Sequence, residues 1–120
     1  MKVDLDQLAE ALADFTFAYL ITVGDDYRAH TVAVGPVLSD GVLDVGPVGN
    51  STRRNLAKHP DTTLVWPPRE PGGYTLIVDG RGELADEALT VVPGRAVLHR
   101  PATPNAATAS GCGDDCVPLG

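Results

Sequence analysis

The sequence predicts a mainly β chain folded as one closed or nearly closed antiparallel barrel with short helices. Three observations carry that prediction. Six runs rich in β-branched and aromatic residues alternate with Gly, Asp and Pro turn chemistry. No strand–helix–strand alternation of the kind that builds a parallel sheet is present, and short successive strands need closure to remove their edges. The length of 120 residues, 43% of them hydrophobic, suits a single core.

The elements follow in order. Residues 3–14 (VDLDQLAEALAD) set Val3, Leu5, Leu8, Ala9 and Leu12 at helical spacing with acids opposite, and Asp4 stands where it can cap the start. FTFAYLITVG (15–24) is the first strand, and Gly24-Asp25-Asp26 turns it. RAHTVAVGPVL (28–38) returns, with Pro36 forcing an edge position or a bulge late in the strand. Ser39-Asp40-Gly41 turns into GVLDVG (41–46), a third strand ended by Gly46-Pro47-Val48-Gly49. Asn50 or Ser51 then caps a second short helix, STRRNLAKH (51–59), which Pro60 stops. TTLVW (62–66) is a strand and PPREPGG (67–73) a loop. YTLIVDGRGELAD (74–86) is a long strand bent or bulged at Asp79-Gly80 and Gly82, and LTVVPGRAVLHR (89–100) is the last, interrupted at Pro93-Gly94. The barrel domain thus occupies residues 1–100. From Pro101 to Gly120 the Pro, Thr, Ala, Ser and Gly content is that of a flexible tail, which carries Cys112 and Cys116.

Charge narrows the function. Sixteen acids against nine Lys and Arg leave a net charge of -7, a field that repels phosphate backbones and anionic lipid. Nucleic acid and membrane are therefore not expected partners. No apolar run approaches the roughly 18 residues that cross a bilayer. Asp4, Asp6 and Glu10 stand where a secretory signal needs a basic start, so a cytoplasmic chain is expected. The acids are unevenly spread. Between Asp44 and Asp61 there is none, while Arg53, Arg54, Lys58 and His59 fall inside the gap. Such a segment either holds one anion or is a solvated helix face.

As an anion site it has a physical basis. Backbone amides at a helix start favour negative charge. Ser51 and Thr52 add hydroxyls, and an arginine can make a bidentate contact. Helical neighbours point about 100° apart, so one of Arg53 and Arg54 is expected on the ligand and the other on the surface. His30, mid-strand, is either a cation beside a ligand or a half-exposed strand histidine. His59 is expected to interact with its own helix C-terminus and His99 to lie at the surface. Trp66, Tyr19, Tyr27 and Tyr74 can stack on a planar ligand but read first as core or interface residues, and Trp66 is the best placed of them to line a pocket. Cys112 and Cys116 leave three readings: a reversible disulfide, half of a metal site completed by a second subunit, or two inert thiols.

The stretch YRAHTVAVGPVLSDGVLDVGPVGNSTRRNLAKHPDTTLVW (27–66), with Arg54-Asn55-Leu56 and Pro60 at their spacing, resembles the flavin-binding split barrels of the pyridoxamine 5'-phosphate oxidase-like family. YTLIVDGRGEL looks like that family's long strand with its Gly-x-Gly bend. The resemblance implies a six-stranded antiparallel split barrel that binds FMN, and a homodimer with the cofactor at its interface. It implies that Asn50, Ser51, Thr52, Arg53 and Arg54 surround the phosphate. The isoalloxazine would lie along His30, Thr31, Val32 and Ala33 and against Val45 and Gly46. The sequence departs from the family where Thr52 replaces a phosphate-binding Lys and His30 an Arg. Nothing beyond His99-Arg100-Pro101 matches the oxidases' C-terminal Arg-bearing segment. The implied activity is a flavin-dependent oxidoreductase acting on a small molecule. The alternatives are a deazaflavin-dependent reductase, a non-enzymatic flavin- or haem-binding barrel, and a barrel with a degenerate site.

Overall fold

The computed structural model describes residues 1–101; Cys112, Cys116 and the rest of the expected tail lie outside the described residues. Among the described residues, one antiparallel sheet contains eight strands: β1 (Lys2–Val3), β2 (Ala18–Val23), β3 (Ala29–Val34), β4 (Val37–Ser39), β5 (Val42–Pro47), β6 (Asp61–Trp66), β7 (Thr75–Ala85) and β8 (Ala88–His99). Helix α1 (Leu8–Leu12) follows a 3-10 turn, and α2 (Asn50–Lys58) joins β5 to β6.

The strand order β3-β2-β6-β7-β8-β5-β4 puts two consecutive strands, β3 and β4, at opposite edges. In a flat sheet the six intervening spacings of ~4.8 Å would separate them by ~29 Å, whereas the chain from Val34 to Val37 reaches ~11 Å. The sheet must therefore curl, and the alternating residues on its concave side form the core: Ala18, Leu20, Leu43, Leu64, Trp66, Leu76, Val78, Leu89, Val91 and Ala96 are all buried. The curl stops short of closure. β3 and β4 do not pair, and the seam between them is bridged by Gly35-Pro36, where proline lacks the N–H that a ladder needs. The result is a split barrel.

Several expectations are corrected. The strand over 28–38 is two strands broken at Gly35-Pro36, and with β1 this makes eight rather than six. The helix expected over 3–14 is shorter, because Lys2 and Val3 pair with Val97 and Ala96. The Met1 ammonium also donates to the Leu98 carbonyl at 2.8 Å, and Leu98 N–H returns a bond to Met1. Sheet pairing outweighs a short helix that is marginal by itself. Asp4 does precede the 3-10 turn, but its side chain makes no capping bond. β8 is continuous through Pro93-Gly94: the register steps from Asp79↔Arg95 to Gly80↔Pro93, so Gly94 bulges out instead of ending the strand. Trp66 is core at 3% exposure, not pocket lining.

Helix α2 is docked from both ends of its buried stripe. Thr52 and Leu56, four residues apart, face the barrel. Leu56 sits over Gly82, where a Cβ would approach its Cδ2 to 2.8 Å, so glycine there lets the helix lie close to β7. Gly82 N–H also donates to the Pro60 carbonyl at 2.7 Å, fixing the exit of the helix.

Candidate functional site: the β3 edge and the start of α2

A cavity of about 380 Å³ lies between β3 and the segment from Pro47 to Thr52. Its β3 wall includes His30 and the consecutive Val32, Ala33 and Val34, so it follows the strand's free edge rather than one face. Ala33 pairs with the exposed Tyr19 on β2, which carries that wall onto the outer surface of the sheet. On the other wall α2 begins at Asn50 with Gly49 as its N-cap, not Asn50 or Ser51 as expected, and no side chain caps it. The first intrahelical bond is Arg53 N–H to the Gly49 carbonyl, so the amides of Asn50, Ser51 and Thr52 have no helical acceptor. They lie beside the cavity with the side chains of Asn50 and Ser51.

Both arginines reach one turn back, as residues three apart on a helix do. Arg53 Nη2 donates to Asn50 Oδ1, and Arg54 Nη2 lies 3.4 Å from Ser51 Oγ. Arg53 also meets an acid. Arg53 Nη1 is 3.7 Å from Glu87 Oε1, with the arginine 34% and the glutamate 79% exposed. Glu87 is held there by its two-residue turn between Ala85 and Ala88, in which Asp86 adopts φ 59 and the Glu87 carbonyl accepts Val48 N–H at 3.2 Å. Arg54 shares a second cavity, about 330 Å³, with Asp25 and Asp26 of the β2–β3 turn. The segment without acids in sequence is flanked by acids in space.

Of the residues expected at the site, His30, Val32, Ala33, Asn50, Ser51 and Thr52 are brought to this cavity. Thr31 is not among the lining residues, although it shares a face of β3 with Ala33, and Val45 and Gly46 stand before the lining segment. Thr52 is only 2% exposed, so it packs inward where a ligand-binding lysine would have to reach out. Arg53 and Arg54 stand behind the lining, bonded to Asn50 and Ser51. Sequence reasoning missed Val34, Pro47, Val48 and Gly49, although the Gly-Pro-Val-Gly break before α2 was a signal. It also missed Glu87, whose approach depends on a distant turn.

Other residues take structural places. The His59 ring lies 5.7 Å from that of Tyr27, and its N–H closes α2 on the Asn55 carbonyl. Tyr74 lies under Arg100, 4.5 Å from the guanidinium. His99, expected at the surface, is half-buried and its Nε2 is enclosed. Among the described residues no helix is long and apolar enough to cross a membrane, and no group of three or more His, Cys, Asp or Glu is placed to hold a metal ion.

The curled open sheet with α2 across it is the fold of the pyridoxamine 5'-phosphate oxidase-like split barrels. A pyridoxamine 5'-phosphate oxidase-like protein of Listeria innocua superposes with TM-score 0.65 over 78% of this chain and 96% of its own, at 14% identity. An FAD-binding protein of Mesorhizobium loti gives TM-score 0.64 over 80% and 94%, at 12% identity. An F420 reductase gives 0.56 over 74% and 94%, at 17% identity. No protein-family model matches the sequence. The chain belongs to the same family as the uncharacterized proteins Mb0449c of Mycobacterium bovis and MT0457 of Mycobacterium tuberculosis. Each is 51% identical to it over 97% of this chain and 94% of the relative.

Proposed function

We propose that this chain is a flavin-dependent oxidoreductase that holds its cofactor by a phosphate at the start of α2. The observation that carries the reading is the uncapped helix start, with Asn50 and Ser51 facing the free edge of β3 across one cavity. Unsatisfied amides, an amide side chain and a hydroxyl are the donor set that a phosphate takes. An edge strand turns every second N–H and C=O outward, which suits the hydrogen-bonding rim of a flavin ring laid along His30–Val34. Val32 and Val48 supply apolar walls. A bound flavin supplies the hydride or electron transfer. The chain's part is to anchor the phosphate, orient the ring and exclude water.

FMN is the cofactor implied by the sequence resemblance, and solved structures with this fold include FAD-binding proteins. A deazaflavin is the second reading. It is favoured by the likeness to an F420 reductase. The working unit is a homodimer with the cofactor at its interface. The outer sheet face supports this, since it exposes Phe17, Tyr19 and Val92 and carries a groove of about 590 Å³ lined in part by Ile21, Val23 and Pro93. The substrate is a small molecule and the location cytoplasmic.

The visible spectrum of freshly purified protein tests the reading, followed by titration with FMN, FAD and deazaflavin. A flavin or deazaflavin band that stays with the protein through gel filtration is expected. A colourless protein that takes up none of the three would overturn it. Turnover with a nicotinamide or deazaflavin donor then separates an enzyme from a carrier.

A further inference from the structure

We infer that Glu87 sets the charge selectivity of the phosphate site, disfavouring a doubly charged phosphomonoester and favouring a singly charged phosphodiester. The inference rests on the phosphate-site reading above and deepens it. Its basis is the guanidinium of Arg53, whose outer nitrogens are both taken by the chain's own oxygens. Nη2 donates to Asn50 Oδ1, and Nη1 lies 3.7 Å from Glu87 Oε1. A phosphate placed on the amides of Asn50 and Ser51 meets a cation already compensated by a carboxylate.

The arrangement is built rather than incidental. Glu87 is the second residue of a two-residue hairpin turn whose first residue, Asp86, is in the left-handed region. The turn is pinned to the cavity wall by Val48 N–H donating to the Glu87 carbonyl at 3.2 Å. Arg54 shares the smaller cavity with Asp25 and Asp26, but the Asp26 carboxylate is paired with Arg28 at 3.6 Å. At the start of α2 the Arg53 guanidinium is thus paired with a carboxylate, and the helix amides provide the remaining attraction. A ligand bearing about −1.5 to −2 on a phosphomonoester is repelled by the Glu87 carboxylate more than a diester with a single charge.

The experiment compares three ligands with the same flavin ring: FMN, its phosphate monomethyl ester, and neutral riboflavin. Each is titrated by fluorescence quenching against the wild type, Glu87→Gln and Arg53→Ala at low ionic strength. The wild type is expected to bind the methyl ester at least as tightly as FMN. In Glu87→Gln, FMN should tighten roughly two- to fivefold, the methyl ester by less, and riboflavin not at all, with the gain shrinking as salt is raised. In Arg53→Ala both phosphate-bearing ligands should weaken towards riboflavin. A wild type that prefers FMN to its methyl ester overturns the inference, as does a Glu87→Gln variant that shifts both esters alike or neither. If neither ester binds better than riboflavin in any variant, the phosphate site itself is wrong and the selectivity falls with it. The two failures are thus distinguishable.

Discussion

Asn55 Nδ2 donates to Thr22 Oγ1 at 3.1 Å, a bond between α2 and β2 that spans 33 residues of sequence. Thr22 is fully buried, and it pairs across β2–β3 with His30, which lines the cavity. Asn55 therefore tethers the second half of α2 to β2, the strand that pairs with the cavity's β3 wall. Replacing it with Ala removes a bond to a buried hydroxyl and should cost about 1–3 kcal/mol, read as a lowered midpoint in urea. A loss below ~0.5 kcal/mol would mean that the helix is held by Leu56 and Thr52 alone.

Gly80 and Gly46 separate two reasons for glycine. A Cβ on Gly80 would stand 2.5 Å from the Val92 carbonyl oxygen, a backbone atom that cannot turn aside. Gly46 has open space around it and needs glycine only for its φ of 85. Gly80→Ala should therefore destabilise by roughly 1–3 kcal/mol or more through overpacking. Gly46→Ala should lose about 1–2 kcal/mol from left-handed strain alone. Thermal melts of the pair check the order, and a more damaging Gly46→Ala would contradict it.

Arg53 and Arg54 should not be equivalent in cofactor binding. Arg53 is the more buried and holds Asn50, so Arg53→Ala frees a lining side chain and leaves Glu87 uncompensated beside the site. A loss of roughly tenfold in FMN affinity is expected. Arg54 is exposed and its contact to Ser51 is long, so Arg54→Ala should change affinity by no more than about threefold. Equal and negligible losses would remove both from the site.

The outer groove gives a test of assembly. Val92 is an exposed apolar residue on its wall, away from the cavity of the β3 edge. If the proposed homodimer pairs through this face, Val92→Glu places an unpaired charge in the contact and should convert a dimer of the 12.5 kDa chain into monomer in sedimentation, with the far-ultraviolet spectrum unchanged. A wild type that already sediments as monomer would discard the homodimer, and a Val92→Glu protein that remains dimeric would move the interface off this face.

Most of the fold was legible because its signals are local. The alternation in AYLITV buries Ala18, Leu20 and Thr22 on one face, and Pro60 ends α2 where a helix must stop. What escaped was decided by partners far along the chain. Lys2 and Val3 became a strand because β8 had an unpaired stretch beside Val97 and Ala96. Pro93-Gly94 stayed within β8 because Gly94 bulges out opposite Asp79-Gly80 and the pairing with β7 resumes on both sides. The cavity was half-legible: the helix start and its hydroxyls lie in one run of sequence, but that the wall opposite is a free edge follows from β3 and β4 ending on either side of the seam.

Charge divides the two levels most sharply. The run from Val45 to Pro60 determined by itself that basic residues would gather on one helix, since Arg53, Arg54 and Lys58 lie within six residues of an acidic chain. Whether that helix offers a free positive charge was decided only in three dimensions. The β7–β8 turn brings Glu87 to Arg53, and the β2–β3 turn brings Asp25 and Asp26 to the side of Arg54. Coulomb energy depends on distance through space, and hairpin turns shorten that distance without regard to position along the chain.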